Sequence, residues 1–383
     1  MSAAVDTRRF VRTEQVPQLP PPSQIRGPFV WIRENLFSGP VNTILTVAVL
    51  YLLYVVVPPL VEFLIVDAVW TGADRTACRE DTTGREVGAC WAYVAEKINY
   101  FVYGSYPPSE RWRVNIFFVL LALGIGWLLW LKAPRRLLGA AYFFLALPVI
   151  SYLLLSGAPL LGLETVPTSL WGGILVTVIV ATVGIVVSLP AGVVLALGRR
   201  SKLPIVRLLS VIFIEFVRGV PLITVLIMAN TMLPLFLPGG MTVDRLVRPL
   251  VGVALFSSAY MAEVVRGGLQ AIPKGQYEGA MSLGLNYWHT TVFIILPQAL
   301  RIVIPGIVNT FIGLFKDTSL VAIVGIFDLV RTIEAARVDP NWAAPTISYT
   351  GYAFAALFYF IFCWGMSRYS LSVERRLAAG HQR

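Results

Sequence analysis

Charge and histidine are what this 383-residue chain is short of: 14% of its residues are charged and two are histidine. A soluble domain carries roughly 25% charged residues, so an ordinary water-facing surface is excluded. Three cysteines and two histidines, none at metal-ligand spacing, exclude a metal centre written into the sequence. No Gly-x-x-x-x-Gly-Lys-Ser/Thr stretch occurs, so no P-loop is present to hold ATP phosphates. No Ser/His/acid set is on offer for nucleophilic catalysis, and no catalytic residue or cofactor is assigned. The first forty residues lack a compact apolar core, and Pro17 to Pro22 is proline-rich. A cleavable signal peptide is therefore not expected, and residues 1–28 read as a flexible tail.

What is there is hydrophobic residue, 57% of the chain, in repeated long runs between Val41 and Tyr369. Runs of about 18 or more apolar residues are membrane spans. The runs are continuous rather than alternating, so they read as helices and not as a β-barrel. The net charge of +10 lies in short loops between spans. That is the positive-inside pattern and not the basic, aromatic-laced face of a nucleic-acid binder.

Taken in order, residues 1–40 form an amino-terminal tail whose 29–38 segment mixes aromatics and charges in the manner of an interfacial helix. Residues 41–160 hold three spans, Val41–Val66, Val114–Leu131 and Leu137–Ser156. Pro58-Pro59 is expected to kink or end the first. Between the first two lies a polar loop, 67–113, with seven acidic and six basic residues and with Cys78 and Cys90. The two cysteines are either a disulfide or two free thiols. A loop on the oxidising side favours the disulfide, and Cys363 reads as packing. Residues 169–371 hold five more spans: Leu170–Leu197, 221–237, Pro249–Gly268, Ala299–Phe315 with its continuation to Leu329, and Ile347–Met366. Residues 372–383 are a basic tail.

Eight spans place the short basic turns at Lys132/Arg135/Arg136 and Arg199/Arg200/Lys202 on one side, with the basic residues Arg8, Arg9, Arg12, Arg26 and Arg33. Both termini and the 269–297 loop are then expected in the cytoplasm, and the 67–113 loop outside.

The 269–297 loop contains a mildly polar island, Gln276 to Pro297. Glu278, Ala280 and Gly284 are set at helical spacing between Pro273 and Pro297. A short small-residue helix at the membrane surface is a docking shape. The pattern Glu278-Gly279-Ala280, three residues, Gly284, nine residues, Ile294, one residue, Leu296-Pro297 resembles the EAA signature of membrane subunits of bacterial ABC importers. Gly279 departs from it, since the family has Ala there, and weakens the helix by about 1 kcal/mol. Ile214 to Leu222, Ala262 to Leu269, Leu296 to Ala299 and Lys316 to Leu320 look like polar amino-acid permeases of the His/Glu/Gln/Arg type. The resemblance covers about Leu170 to Tyr369, and the extra amino-terminal spans look like the M-type subunit of a general L-amino-acid importer.

The resemblance implies an all-α polytopic fold: a five-helix type I importer core preceded by three extra helices. It implies a permease of the bacterial inner membrane that works by alternating access. It also implies partners: a second permease subunit, favoured to be a paralogue, two ATPase subunits holding ATP and Mg, and a periplasmic amino-acid-binding protein. Glu278, Gly279, Ala280, Gly284, Ile294, Leu296 and Pro297 are then the ATPase-docking residues.

Ionisable residues at membrane depth are costly and usually mark a pathway. Lys316, Asp317, Thr318, Ser319 and Asn309 are the pathway candidates, with a simple Lys316–Asp317 pair at a helix end as the alternative. Glu215 with Arg218, and Glu263 with Arg266, stand three residues apart and are expected to pair on their own helices, as structural ion pairs or as a gate. Two rivals are an ion-coupled secondary transporter and a membrane enzyme acting on lipids; the second lacks any His/Asp/Glu cluster.

Overall fold

The computed structural model describes residues 27–130, 133–236, 238 and 243–379. The tail expected over residues 1–26, with Arg8, Arg9, Arg12 and Arg26, lies outside the described residues, as do Lys132 and the end of the basic tail at 380–383. The described residues are helical, and only isolated β-bridges occur among them.

The chain divides into two units, Met1–Val66 and Asp67–Arg383. The first holds α1 (Pro28–Asn35), where the interfacial helix is expected, and α2 (Pro40–Val61). Helix α2 runs through Pro58 and Pro59 and passes directly into a π turn, Glu62–Val66. Each proline removes a backbone donor. The chain re-satisfies its carbonyls locally, with the Glu62 N–H shared between Pro58 and Pro59 oxygens, rather than breaking. None of the residues of α2 is buried, and the helix is apolar all round, as a lipid-facing span must be.

In the second unit the polar loop 67–113 is largely ordered. Helix α3 (Trp91–Tyr103) buries Ala92, Tyr93, Val94 and Phe101. Cys78 and Cys90 are bonded, with Cα atoms 5.8 Å apart, and both are buried in a cluster with Tyr93, Phe101 and Trp342. Lys97 Nζ reaches Asp339 Oδ2 at 2.5 Å. The loop thus packs on the chain as a stapled cap. The expected loop also ends earlier than the polar pattern suggests: helix α4 (Arg111–Leu129) already includes Arg113. Arg113 is buried because its Nε lies 2.7 Å from Glu110 and its Nη1 donates to the Glu164 carbonyl at 2.7 Å. Helix α5 (Arg136–Ser156) completes the three extra spans and carries a π turn at Tyr142–Ala146.

The centre of the unit is the pair α6 (Gly173–Arg199) and α9 (Val247–Ala271). Without a hydrophobic drive between helices in lipid, small residues set their closeness. A Cβ on Gly192 would stand 2.6 Å from the Met261 side chain across this pair, and one on Gly268 of α9 would stand 2.6 Å from the carbonyl oxygen of Ala299, on a later helix. At 27 residues α6 is about 40 Å long, enough to cross a hydrocarbon core of about 30 Å. Helices α7 (Pro204–Gly219) and α8 (Leu222–Met232) follow, bent by 107° at Val220-Pro221. Among the described residues seven helices qualify as spans by length and composition, eight with this bent pair.

Short helices follow: α10 (Lys274–Ser282), Tyr287–His289, a π turn Thr290–Ile295, α11 (Leu296–Ile302) and α12 (Ile304–Asp317). The span expected from Ala299 to Phe315 is therefore split. Pro305 supplies no N–H, so a new helix starts just before it, at Ile304. The continuation to Leu329 is also not one helix: a 3-10 stretch, Thr318–Val324, ends at Gly325, and α13 (Leu329–Ala336) starts afresh. Helix α14 (Ile347–Ala379) is the last span.

Candidate functional site

Three features meet at the bend of α7 and α8 and at the Arg199 end of α6. The first is a cavity of about 650 Å³, within the ~300–1,000 Å³ range of small-molecule sites. The bend at Gly219-Val220-Pro221 forms one wall, and α9 contributes Phe256, Ser257 and Tyr260. Helix α12 contributes Asn309, Thr310, Gly313 and Asp317. Pro221 fixes the start of α8, whose first turn, at Leu222, borders the cavity and leaves backbone N–H groups without intrahelical partners. Two charges of opposite sign line it: Arg218, whose guanidinium lies 5.7 Å from the centroid of the Tyr260 ring, and Asp317. The Asp317 carboxylate has no hydrogen-bond or ion-pair partner among the described residues.

Of the expected pathway residues, Asp317 and Asn309 line this cavity and the other three do not. Lys316 is exposed on another face and does not pair with Asp317. Thr318 is buried and its hydroxyl donates to the Phe315 carbonyl at 2.7 Å. Ser319 Oγ donates to the Lys316 carbonyl at 2.9 Å. Both hydroxyls bond back to carbonyls three residues earlier in the chain. The expected Lys316–Ser319 cluster is thus dispersed by the helix itself, which turns its neighbours to different faces.

The second feature is an ion network. Arg199 Nη1 lies 2.8 Å from Glu215 Oε1 and 2.7 Å from Glu263 Oε1. Arg266 donates twice to Glu263 Oε2, at 2.9 and 2.8 Å. Arg218 Nη1 stands 3.8 Å from the same oxygen. The Glu263–Arg266 pair forms as its spacing predicts. The Glu215–Arg218 pair does not. Cross-helix partners take each one instead: Arg199 takes Glu215, and Arg218 turns toward Glu263. The network therefore joins α6, α7 and α9 instead of decorating single helices. Arg199 carries no signal for this in the sequence, where it reads as part of a basic turn.

The third feature is the surface around α10. Glu278 and Gly279 are exposed there, and a Cβ on Gly279 would meet nothing within 4 Å. Ala280 is turned inward and buried. Gly284 lies beyond the helix, not on it. Its φ is +73°, and its N–H bonds to the Met281 carbonyl at 2.9 Å while the Leu285 N–H bonds to Ala280 at 3.2 Å. That is a left-handed helix stop, which glycine adopts without the Cβ penalty. The expected small-residue face is thus corrected: Ala280 packs the helix down and Gly284 ends it. Ile294 and Leu296 pack partly buried against the cluster of Met261, Val265 and Leu269, so they anchor the surface from below, whereas Pro297 is exposed. Gln298 Nε2 bonds Gln276 Oε1 at 3.1 Å and closes the segment into a knob. What the knob offers outward is apolar: Met281, Leu283, Tyr287 and Trp288 are 62%, 77%, 56% and 66% exposed. Sequence reasoning misses these four, because the docking residues are taken from the signature positions, which do not include them.

Among the described residues no group of three or more His, Cys, Asp or Glu side chains is arranged to hold a metal.

Residues 188–378 match the family described as "Binding-protein-dependent transport system inner membrane component". The chain is 51% identical over 351 residues to the inner membrane amino-acid ABC transporter permease protein YhdY of Escherichia coli strain K12, covering 92% of this chain and 93% of that one. It is 40% identical to the glutamate/glutamine/aspartate/asparagine transport system permease protein BztC of Rhodobacter capsulatus, covering 97% of this chain and 99% of that one. A crystal structure of an amino acid ABC transporter with histidines aligns at 28% identity with a TM-score of 0.47, covering 53% of this chain and 92% of that one. Identity of this order over nearly the whole length, with the family match across the second half, shows that the chain belongs to the binding-protein-dependent transport system inner membrane components, the permease subunits of ABC transporters.

Proposed function

We propose that this chain carries L-amino acids through the bacterial inner membrane by alternating access, driven by ATPase subunits that dock on the α10 knob. The observation that carries the substrate reading is the cavity at the α7–α8 bend, which offers Arg218 and Asp317 together. An amino acid is a zwitterion. The unpaired Asp317 carboxylate suits its ammonium group, and Arg218 with the free N–H groups at the start of α8 suits its carboxylate. The names of the relatives, an amino-acid permease and a glutamate/glutamine/aspartate/asparagine permease, point to the same substrate class.

The energy comes from other chains, since this one has no P-loop. The proposed assembly holds a second permease subunit, two ATPases with ATP and Mg, and a periplasmic amino-acid-binding protein. The knob supplies the contact: an apolar tip of Met281, Leu283, Tyr287 and Trp288, rimmed by Glu278, on a segment fixed to α9 through Ile294 and Leu296. A pull on the knob moves α9, and the network at Glu263 passes that movement to α6 and α7, which form the bend. An ATPase biases two states the permease already has and does not create new ones. The basic loops support a cytoplasmic side for both termini and the knob, with the disulfide-stapled cap on the opposite side.

Isolation of the chain from its host membrane in mild detergent, followed by identification of what co-purifies, tests this reading. Recovery of an ATPase and a second permease is the expected result. Recovery without any ATPase, with uptake that follows an ion gradient rather than ATP, would replace it with a secondary transporter.

A further inference from the structure

The arginines at the Arg199 end of α6 outnumber the acids they meet. Arg199, Arg200, Arg207, Arg218 and Arg266 gather there against Glu215 and Glu263. Four of the five, Arg199, Arg200, Arg207 and Arg266, line a cavity of about 550 Å³ with Val211 and Gln270. This cavity is separate from the one at the bend, with which it shares no residue. Arg207 is exposed, and its side chain has no hydrogen-bond or ion-pair partner among the described residues. Arg200 spends one nitrogen, Nη1, on the Leu269 carbonyl at 2.8 Å and the Tyr277 hydroxyl at 3.2 Å. Its other donors are unspent.

The cavity is bordered by a helix with two contrasting faces. Helix α7 shows a stripe of exposed apolar residues, Ile205, Leu208, Leu209, Ile212 and Phe216, while Arg207 and Val211 line the cavity. One helix thus offers an apolar face suited to lipid chains and a cationic face to the cavity. Guanidinium groups bind tetrahedral oxyanions through paired N–H donors. Basic pockets between membrane helices hold lipid headgroups.

We infer that Arg199, Arg200, Arg207 and Arg266 form a binding site for a phosphate group, supplied either by the headgroup of an anionic phospholipid or by soluble phosphate. Arg200 also bonds Tyr277 on α10, so an occupied site braces the α10 knob. The inference does not depend on which solute the bend cavity carries.

The test uses the full chain with whatever co-purifies, exchanged into nanodiscs of phosphatidylcholine alone or of phosphatidylcholine and phosphatidylglycerol in equal parts. Native mass spectrometry reads the retained lipid. The unchanged protein is expected to retain phosphatidylglycerol in preference to phosphatidylcholine, with retention about fivefold weaker in Arg207→Gln and kept in Arg207→Lys. Arg207 is exposed and unpaired, so its substitution leaves folding alone; an unchanged melting temperature checks that. Added inorganic phosphate separates the sources. If it displaces the lipid at millimolar level the site takes soluble phosphate, and if it does not the lipid headgroup is the ligand; either outcome supports the site. Equal retention by the unchanged protein and Arg207→Gln, with no difference in inorganic phosphate binding, overturns it. So does loss of a co-purifying protein in Arg207→Gln with lipid retention intact, because the arginines would then serve a protein carboxylate. Uptake is not the readout, so failure here leaves the amino-acid reading standing.

Discussion

Arg199 donates from Nη1 to Glu263 Oε1 at 2.7 Å, and this bond ties the end of α6 to α9. Glu263 is the hub, with Arg266 on its second oxygen at 2.8 Å and Arg218 at 3.8 Å. Its side chain is 16% exposed, against 53% for Glu215. Removing a largely buried hub leaves several cations uncompensated, whereas a rim carboxylate is screened by water. Glu263→Gln is therefore expected to cost about 2–3 kcal/mol, somewhat below a fully buried pair, and Glu215→Gln under about 1 kcal/mol. Thermal unfolding in one detergent compares them. Equal costs would mean that the network does not centre on Glu263.

Gly279 and Gly284 sit in the same short signature and are expected to respond in opposite ways. Gly279 lies inside α10 with open space around it. Gly279→Ala should firm the helix by up to about 1 kcal/mol and leave uptake intact. Gly284 has φ +73°, so Gly284→Ala should cost about 1–2 kcal/mol at the helix stop and redirect the knob. The measurement is uptake per inserted protein. Full activity in Gly284→Ala, or loss in Gly279→Ala, would reverse the assignment of the two positions.

Asp317 tests the cavity. Asp317→Asn keeps the shape and removes the charge, and no ion pair among the described residues is broken by it. A charged hydrogen bond contributes roughly 1.5–3 kcal/mol, so substrate half-saturation should rise about tenfold or more, with melting unchanged and partial recovery in Asp317→Glu. A melting temperature that falls together with uptake would make Asp317 a packing residue.

The spacing of Glu278, Gly284, Ile294 and Pro297 was legible in the sequence because it matches a known signature position by position. The span count was legible because hydrocarbon demands long apolar helices. What was not legible is non-local. Arg113 reads as a loop residue until Glu110 and the Glu164 carbonyl are seen around it. Arg199 reads as a turn until Glu215 and Glu263 arrive from other helices. Met281 and Trp288 are not among the signature positions, and only the direction of the knob shows them outward. Hydropathy reports how a residue feels about water and says nothing of which neighbour will be there.

Asp328 gives the stability of the disulfide-stapled cap a pH dependence. It caps α13, with its carboxylate accepting the Val330 and Arg331 N–H groups at 3.2 and 3.0 Å. The residue is fully buried, and burial pushes its pKa up to about 7, against the opposing pull of those two N–H bonds. Glu334 on the same short helix adds a smaller upward push. In the unfolded chain the group titrates near 3.9. Between about pH 4 and pH 7 the folded protein thus holds a proton that the unfolded chain releases, so this contribution is fully present below about pH 4 and is lost as pH rises through about 7. Asp328→Asn keeps a capping oxygen and cannot ionise. Its stability relative to the unchanged protein should therefore rise between pH 5 and pH 8, as the unchanged protein pays to bury the charge. Melting curves of both proteins at the two pH values give the comparison. A constant difference between them would mean that Asp328 is ionised in the folded protein throughout, with its two N–H bonds outweighing burial.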